Sequence, residues 1–227
     1  MTTITKKIIL EFFRNEKSIG SVEPDTKNSS YNFNFSTTSS IDKFPTAAFQ
    51  GQEHNFNNLF LTFSQSDIVQ MSVQDGSSDN TPNIFFKGEF QGKTIEKQKG
   101  DSELLIKIKA IHSFYKLSLI KLTKPPAFVN VEFGTLVSDL CRLASVTSPI
   151  TISDELAKSK INGVCREVNA FRIFKELCTL KDAVAVFNSN NTVNIELRKD
   201  LISRIRGKSP IEIHEDDIIS MEKSERI

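Results

Sequence analysis

Leu104-Leu105-Ile106-Lys107-Ile108-Lys109-Ala110-Ile111 decides how the amino-terminal half is read. Ile106, Ile108 and Ala110 recur at every second position and alternate with Lys107 and Lys109. A period of two puts one set on a buried face and the other in water, which is a half-buried strand. The same rhythm spreads outward. Ile84 to Phe90 resumes it, and Ile68 to Gln74 sets Val69, Met71 and Val73 against Gln70 and Ser72. Phe56 to Phe63, and Tyr31, Phe33 and Phe35 among asparagines, continue it. Lys6 to Arg14 is extended and apolar, turns at Asn15-Glu16-Lys17, and resumes over Ser18 to Val22. Asp75-Gly76-Ser77-Ser78-Asp79-Asn80 is a turn or loop signal. Short strands at this spacing predict an antiparallel β-barrel or sandwich over residues 1–118. Between them, Thr26 to Gln50 is rich in Ser, Thr and Asn. Its Ser36–Ser40 tail reads as a loop, or as an arm that packs on a neighbouring subunit.

The pattern changes after Lys116. Lys124-Pro125-Pro126 is a stiff break, because neither proline donates to a ladder. Beyond it, residues 127–200 alternate strand and helix. Phe128 to Glu132 is a strand, and Leu136, Val137, Leu140, Leu143 and Ala144 follow at helical spacing, with Thr135 as the expected N-cap. Pro149 ends that region before a short strand, Ile150 to Ile152. Ile161 to Val168 reads as a strand entering a second helix. Asn169 is its expected cap, and Phe171, Phe174, Leu177 and Cys178 share its apolar face. Ala183 to Phe187 and Thr192 to Leu197 form a hairpin around Asn188-Ser189-Asn190-Asn191. The expected fold class is therefore α+β: a barrel followed by a small split β-α-β unit, two helices on one small sheet. Asp200 to Lys208 is basic and helix-compatible. Residues 201–227, with Ile211-Glu212-Ile213 and acidic Glu215-Asp216-Asp217, read as a tail or the start of a further segment.

Composition narrows the function classes. The 227 residues are 38% hydrophobic and 25% charged, with a net charge of +1, 18 Phe, 2 Tyr and no Trp. Such a chain is expected to bury roughly 70% of its unfolded surface. Apolar runs are too short for a signal-peptide core or a membrane span, so cytoplasmic synthesis is expected. The balanced charge and the Asn, Ser, Thr and Gln around the aromatics argue against nucleic acid as a specific ligand. Cys141, Cys165 and Cys178 are odd in number and widely spaced, which fits buried thiols in a reducing compartment. His54, His112 and His214 are isolated from one another and from the cysteines. Gly88-Glu89-Phe90-Gln91-Gly92 lacks the Lys-Ser/Thr of a phosphate loop, and there is no G-x-S-x-G elbow. No catalytic set, metal or cofactor is expected.

Several stretches, taken in order, carry a resemblance. They are Ile84-Phe85-Phe86-Lys87-Gly88-Glu89-Phe90, Leu104 to Ala110, Phe114-Tyr115-Lys116-Leu117, the glycine-threonine helix start in Phe133 to Cys141, Asn169 to Leu177, and Ile195-Glu196-Leu197. This order, over roughly residues 80–220, resembles the baseplate hub proteins of bacteriophage tails. That is the late control protein D group, related to the base of type VI secretion spikes. The resemblance implies a non-enzymatic virion component, assembled in the host cytoplasm into a ring that joins tail tube to central spike. Members usually form trimers with two tube-like barrels per chain. One barrel is visible here, so a trimer and a hexamer both stay open. Contacts with other subunits or with tube and spike proteins are expected from the Ser29–Gln50 arm and the Asp75–Asn83 loop, with Phe33, Phe35, Phe49, Asp75 and Asn80 as candidates. Two other readings remain: a peptide- or glycan-binding module on the barrel, and a cell-wall hydrolase using Glu89 and Asp101.

Overall fold

The structure, a computed structural model, describes residues 6–22, 34–40, 43–52, 63–65, 67–75, 82–97 and 104–207. Seven strands come first: β1 (Lys6–Arg14), β2 (Lys17–Val22), β3 (Asn34–Ser40), β4 (Lys43–Gln52), β5 (Ile68–Asp75), β6 (Asn83–Lys97) and β7 (Leu104–Ile111). Asn15 and Glu16, with φ of 48° and 64°, make the two-residue turn between β1 and β2. Left-handed backbone at both central positions matches the twist of a hairpin. The strands form one antiparallel sheet in the order β2-β1-β5-β6-β7-β4-β3. Among the described residues β2 and β3 are its two free edges.

Strand register lines the apolar positions into rows. Leu10 lies opposite Met71, Met71 opposite Phe86, Phe90 opposite Ala110, and Ile108 opposite Phe49. With Phe12, Val69 and Ile106 they form the first core. No described helix contributes to that core. The sheet covers it by bending. Cα atoms of β4 and β6, which flank β7, approach within 8 Å, whereas next-nearest strands in a flat sheet stand roughly 9.5 Å apart. The Phe49 and Phe86 rings meet edge-on at 6.4 Å. Residues 63–67 fold against one end of this core. Phe63 stacks on Phe12 at 4.4 Å, and Asp67 takes both Arg14 Nε and Arg14 Nη2 at 2.8 Å. Burial raises the Asp67 carboxyl pKa, but the hydrogen bonds from Arg14 and Ser64 outweigh it, and the pKa lies below the usual carboxylate value.

The Ser36–Ser40 stretch, expected as a loop or arm, is instead the end of β3 and pairs with β4. Its polar composition suits an edge strand, and Thr37 and Thr38 are β-branched. β4, which the sequence pattern hid within the supposed arm, carries Pro45 where the β3 register slips between Thr38 and Ser40. A proline is tolerated there because the ladder is already broken. The expected strand over Phe56–Phe63 lies outside the described residues except for Phe63.

The remaining elements are a 3-10 helix (Ser113–Leu119), β8 (Ala127–Glu132), α1 (Phe133–Leu143), β9 (Ile150–Ile152), α2 (Asp154–Ala157), β10 (Lys160–Val164), α3 (Ala170–Leu180), β11 (Ala183–Phe187), β12 (Val193–Leu197) and α4 (Arg198–Arg206). The single small sheet expected here is two sheets. β8 skips β9 to pair with β10, while β9 runs parallel to β12 of the β11-β12 hairpin. α1 begins three residues earlier than expected. Glu132, not Thr135, holds the cap position, and Phe133 N–H donates to Ser159 O at 2.9 Å. The β8–β10 pairing thus satisfies a helix-start donor that a side-chain cap would otherwise serve. Asn169 caps α3 as expected, accepting from Phe171 and Arg172 N–H. The buried faces of α1 and α3 build a second core with Phe114, Leu117, Ile161, Phe187, Val193 and Ile195.

Gly88 marks the tightest spot in the sheet. A Cβ there would stand 2.6 Å from Phe86 Cζ and 2.7 Å from Ile111 O, whereas one at Gly92 would meet nothing within 4 Å. Gly88→Ala should cost about 1–3 kcal/mol through overpacking, and Gly92→Ala well under 1 kcal/mol. Urea melts of the two variants check this; equal midpoints would refute the close approach at Gly88.

Candidate functional site

Where β7 ends, the two cores meet through buried polar groups. His112, fully buried, follows β7 directly and receives Phe114 N–H on Nδ1 at 3.2 Å. That leaves Nε2 as the donor to Thr192 O at 3.2 Å, which selects the neutral tautomer protonated at Nε2. Asn191, with a φ of 65°, brings its side-chain oxygen to Ser113 N–H at 2.8 Å and Ser148 Oγ at 3.2 Å. The Ser113 and Ser148 hydroxyls bond each other. His112 N–H donates to Pro45 O at 2.9 Å, and Lys87 N–H to Ser189 O at 2.6 Å. The cluster therefore ties β4, β6 and β7 to the loops around β9 and the β11–β12 turn.

Glu89 lies beside it on β6, 1% exposed. Its Oε1 meets Lys116 Nζ at 2.8 Å and Thr147 Oγ1 at 3.0 Å. Lys116 Nζ also donates to Ser145 O at 3.2 Å. Glu89 Oε2 is buried without a hydrogen-bond partner. Burial, with the nearby Glu89 charge, raises the Tyr115 phenol pKa.

Histidine, serine and asparagine side chains thus converge, a residue set that also serves nucleophilic catalysis. Here it does other work. His112 and Ser113 are fully buried, Ser148 and Asn191 nearly so, and the bonds from His112 to Thr192 and from Ser113 to Asn191 and Ser148 run between the two halves. His112 looked isolated because its partners come from about 35 to 80 residues away. Only the polar turn Asn188–Asn191 hinted at them. Glu89, one of the two carboxylates considered for hydrolysis, is committed to Lys116 and closed to a polymeric substrate. Asp101, its supposed partner, lies outside the described residues, as do His54 and His214. Burial pushes the Cys141 and Cys178 thiols up to about 12 and Cys165 to about 11, the last helped by Glu176, so all three stay protonated at neutral pH. Among the described residues no three His, Cys, Asp or Glu side chains group as metal ligands. No described helix is long and apolar enough to cross a membrane.

The candidate contact residues scatter. Phe49 is 1% exposed, a core ring with no surface to offer a neighbour. Its place at a buried position of β4 was not legible while β4 was read as part of an arm. Phe35 lies on β3, opposite Phe49, and Asp75 ends β5, opposite Lys6. Phe33 and Asn80 lie outside the described residues. Among the described residues an aromatic concavity of the kind that would favour a peptide or glycan site is found away from the seven-stranded sheet. It lies between α3 and β11, a groove of about 370 Å³ lined by Phe171, Phe174, Cys178 and Phe187, with Lys175 and Arg198 at its rim.

No family model matches the chain, and no curated protein matches it in sequence. Solved structures do match in fold. The chain is similar to the 43 kDa tail protein of prophage MuSo2 from Shewanella oneidensis, with TM-score 0.56 and 9% identity over 85% of this chain and 56% of that one. It is also similar to a tail protein from Neisseria meningitidis MC58, with TM-score 0.52 and 7% identity over 83% and 50%. A chain of the Francisella PdpA-VgrG complex matches with TM-score 0.54 and 9% identity over 90% and 34%. The chain therefore spans about half the length of the two tail proteins and a third of the third chain. At these identities the likeness is one of fold.

The buried seam generates two predictions. Burial pushes the His112 imidazole down to about 4 from 6.5, against the Thr192 hydrogen bond, which favours the cation. The unfolded chain thus takes up this proton first. His112's contribution is whole above pH 6.5 and is lost as pH falls to about 4, amounting to ~3 kcal/mol at about 1.4 kcal/mol per pH unit. His112→Gln should be less stable at pH 7 and should flatten this acid limb in urea titrations. Separately, Lys116→Met should cost about 3 kcal/mol by leaving Glu89 buried and unpaired, and Glu89→Met with Lys116→Met should recover most of it. A double variant no better than the single one would contradict the pairing.

Proposed function

We propose that this protein is a structural, non-enzymatic component of a phage tail or related injection machine, a hub ring that joins the tail tube to the central spike. The observation that carries the reading is the bent seven-stranded antiparallel sheet, whose apolar face no described helix covers, joined to a two-helix α/β half. The fold likeness to two prophage tail proteins and to a chain of the PdpA-VgrG complex supports it. In this reading residues 1–118 close into a tube-like barrel, residues 127–200 form the α/β unit, and residues 201–227 are a tail or the start of a further segment. Copies stand side by side in a trimer, or in a hexamer if each chain brings a single barrel. The β3 edge with Phe33 and Phe35, and the Asp75–Asn83 loop with Asn80, face neighbouring copies, tube or spike. Ring closure requires such a head-to-tail interface on each copy. The place of action is the virion tail, and neither nucleic acid nor a membrane is a partner.

Light scattering on the full chain, followed by electron microscopy of the same fractions, tests the reading. A closed ring of three or six copies, alone or with the neighbouring tail proteins, is the expected result. A monomer under both conditions would overturn it.

A further inference from the structure

β11 is an edge strand. Among the described residues it pairs only with β12, so alternate N–H and C=O groups on its other side have no backbone partner. That open edge borders the groove, which Ala183, Val184 and Ala185 line together with the α3 side chains Phe171, Phe174 and Cys178. An apolar floor beside an open strand edge is the geometry that accepts an added strand. The rim is cationic, and no acidic residue lines the groove. Lys175 Nζ stands 5.0 Å from the centre of the Phe171 ring. Arg198 binds Asp182 through Nε at 2.9 Å, both groups exposed, and keeps further donors on its guanidinium. An extended segment with alternating apolar residues and excess negative charge fits this site.

The chain carries such a segment. Ile211-Glu212-Ile213-His214-Glu215-Asp216-Asp217-Ile218-Ile219 alternates at its start and holds four acids with no Lys or Arg. It is tethered nearby. α4 begins at Arg198, on the groove rim, and its nine residues carry the chain about 13 Å. The four residues Gly207–Pro210 span up to about 13 Å when extended, enough to return that distance. A short tether also gives the segment a high effective concentration at the groove.

We propose that Ile211–Ile219 of the same chain adds to the free edge of β11, with its isoleucines on the Phe171–Phe174 floor and its acids toward Lys175 and Arg198. The segment then closes an edge that would otherwise invite pairing with other chains.

Amide hydrogen exchange tests this on the full chain and on a chain stopped after Lys208. Ala185 and Phe187 amides, whose N–H groups point away from β12, should exchange at least tenfold faster in the shortened chain, while those of β7 stay unchanged, which shows that the fold is intact. The full-length Ile211→Asp, Ile213→Asp variant should lose the same protection, and a synthetic peptide of residues 210–220 added to the shortened chain should restore it. Equal β11 exchange in the full and shortened chains overturns the proposal. So does protection that returns to an isotopically labelled shortened chain on mixing with unlabelled full chain, which would assign the groove to a neighbouring copy.

Discussion

A sheet seven strands wide, apolar on one face and covered by no described helix, excludes water by bending until that face covers itself. The rest of the amino-terminal half follows from this need. β4 and β6 lean together across β7, and small residues leave room inside, Gly88 against the Phe86 ring and Ala47 opposite Ala110. One end of the concavity is closed by Phe63, held by the paired Arg14 and Asp67. Bending toward the inside also leaves the outer face and the two edges as the surfaces available to other molecules.

The second constraint is the joint. Two apolar cores in one chain need a fixed relation if the molecule is to act as a rigid part of an assembly, and an apolar seam alone would specify that relation poorly. Here the seam is polar and, Glu89 Oε2 apart, hydrogen-bonded. A histidine held in one tautomer, an asparagine in left-handed backbone, two serines and a lysine–glutamate pair each find partners in one arrangement. Buried hydrogen bonds are unforgiving of misalignment, because a shift leaves donors and acceptors without water or partner. Phe44 reinforces the joint from the apolar side. It leaves β4 to pack among Phe114, Phe171 and Phe187 of the second core.

Strands with strict alternation were legible in the residues alone. β5 and β7 declare a buried and a wet face, β1 and β6 declare themselves as extended apolar runs, and Asn169 declares the start of α3. The end of β3 and all of β4 were not legible. Their Ser, Thr and Ala residues carry little hydrophobic contrast, and Pro45 argues against a strand unless a register slip is already known. Thr135 misled as a cap because the true donor partner, Ser159 O, belongs to a segment 26 residues away. The site fared worse than the fold. Phe49, by sequence a candidate surface contact, is a core ring, and Glu89, by sequence a candidate hydrolytic carboxylate, is half of a buried ion pair. A residue's type shows what chemistry it can do, whereas its burial and partners are long-range facts.

The sequence by itself determined a strand-rich half, a helix-bearing half, the break in character between them and the absence of a contiguous catalytic motif. Each of these follows from local periodicity and spacing. Only the tertiary structure decided that the sheet bends over its own core, that β8 pairs with β10, that His112 is a neutral buried link, and that an open strand edge borders a cationic groove. These depend on which distant residues share a space once water is excluded, and no window of neighbouring residues contains that information.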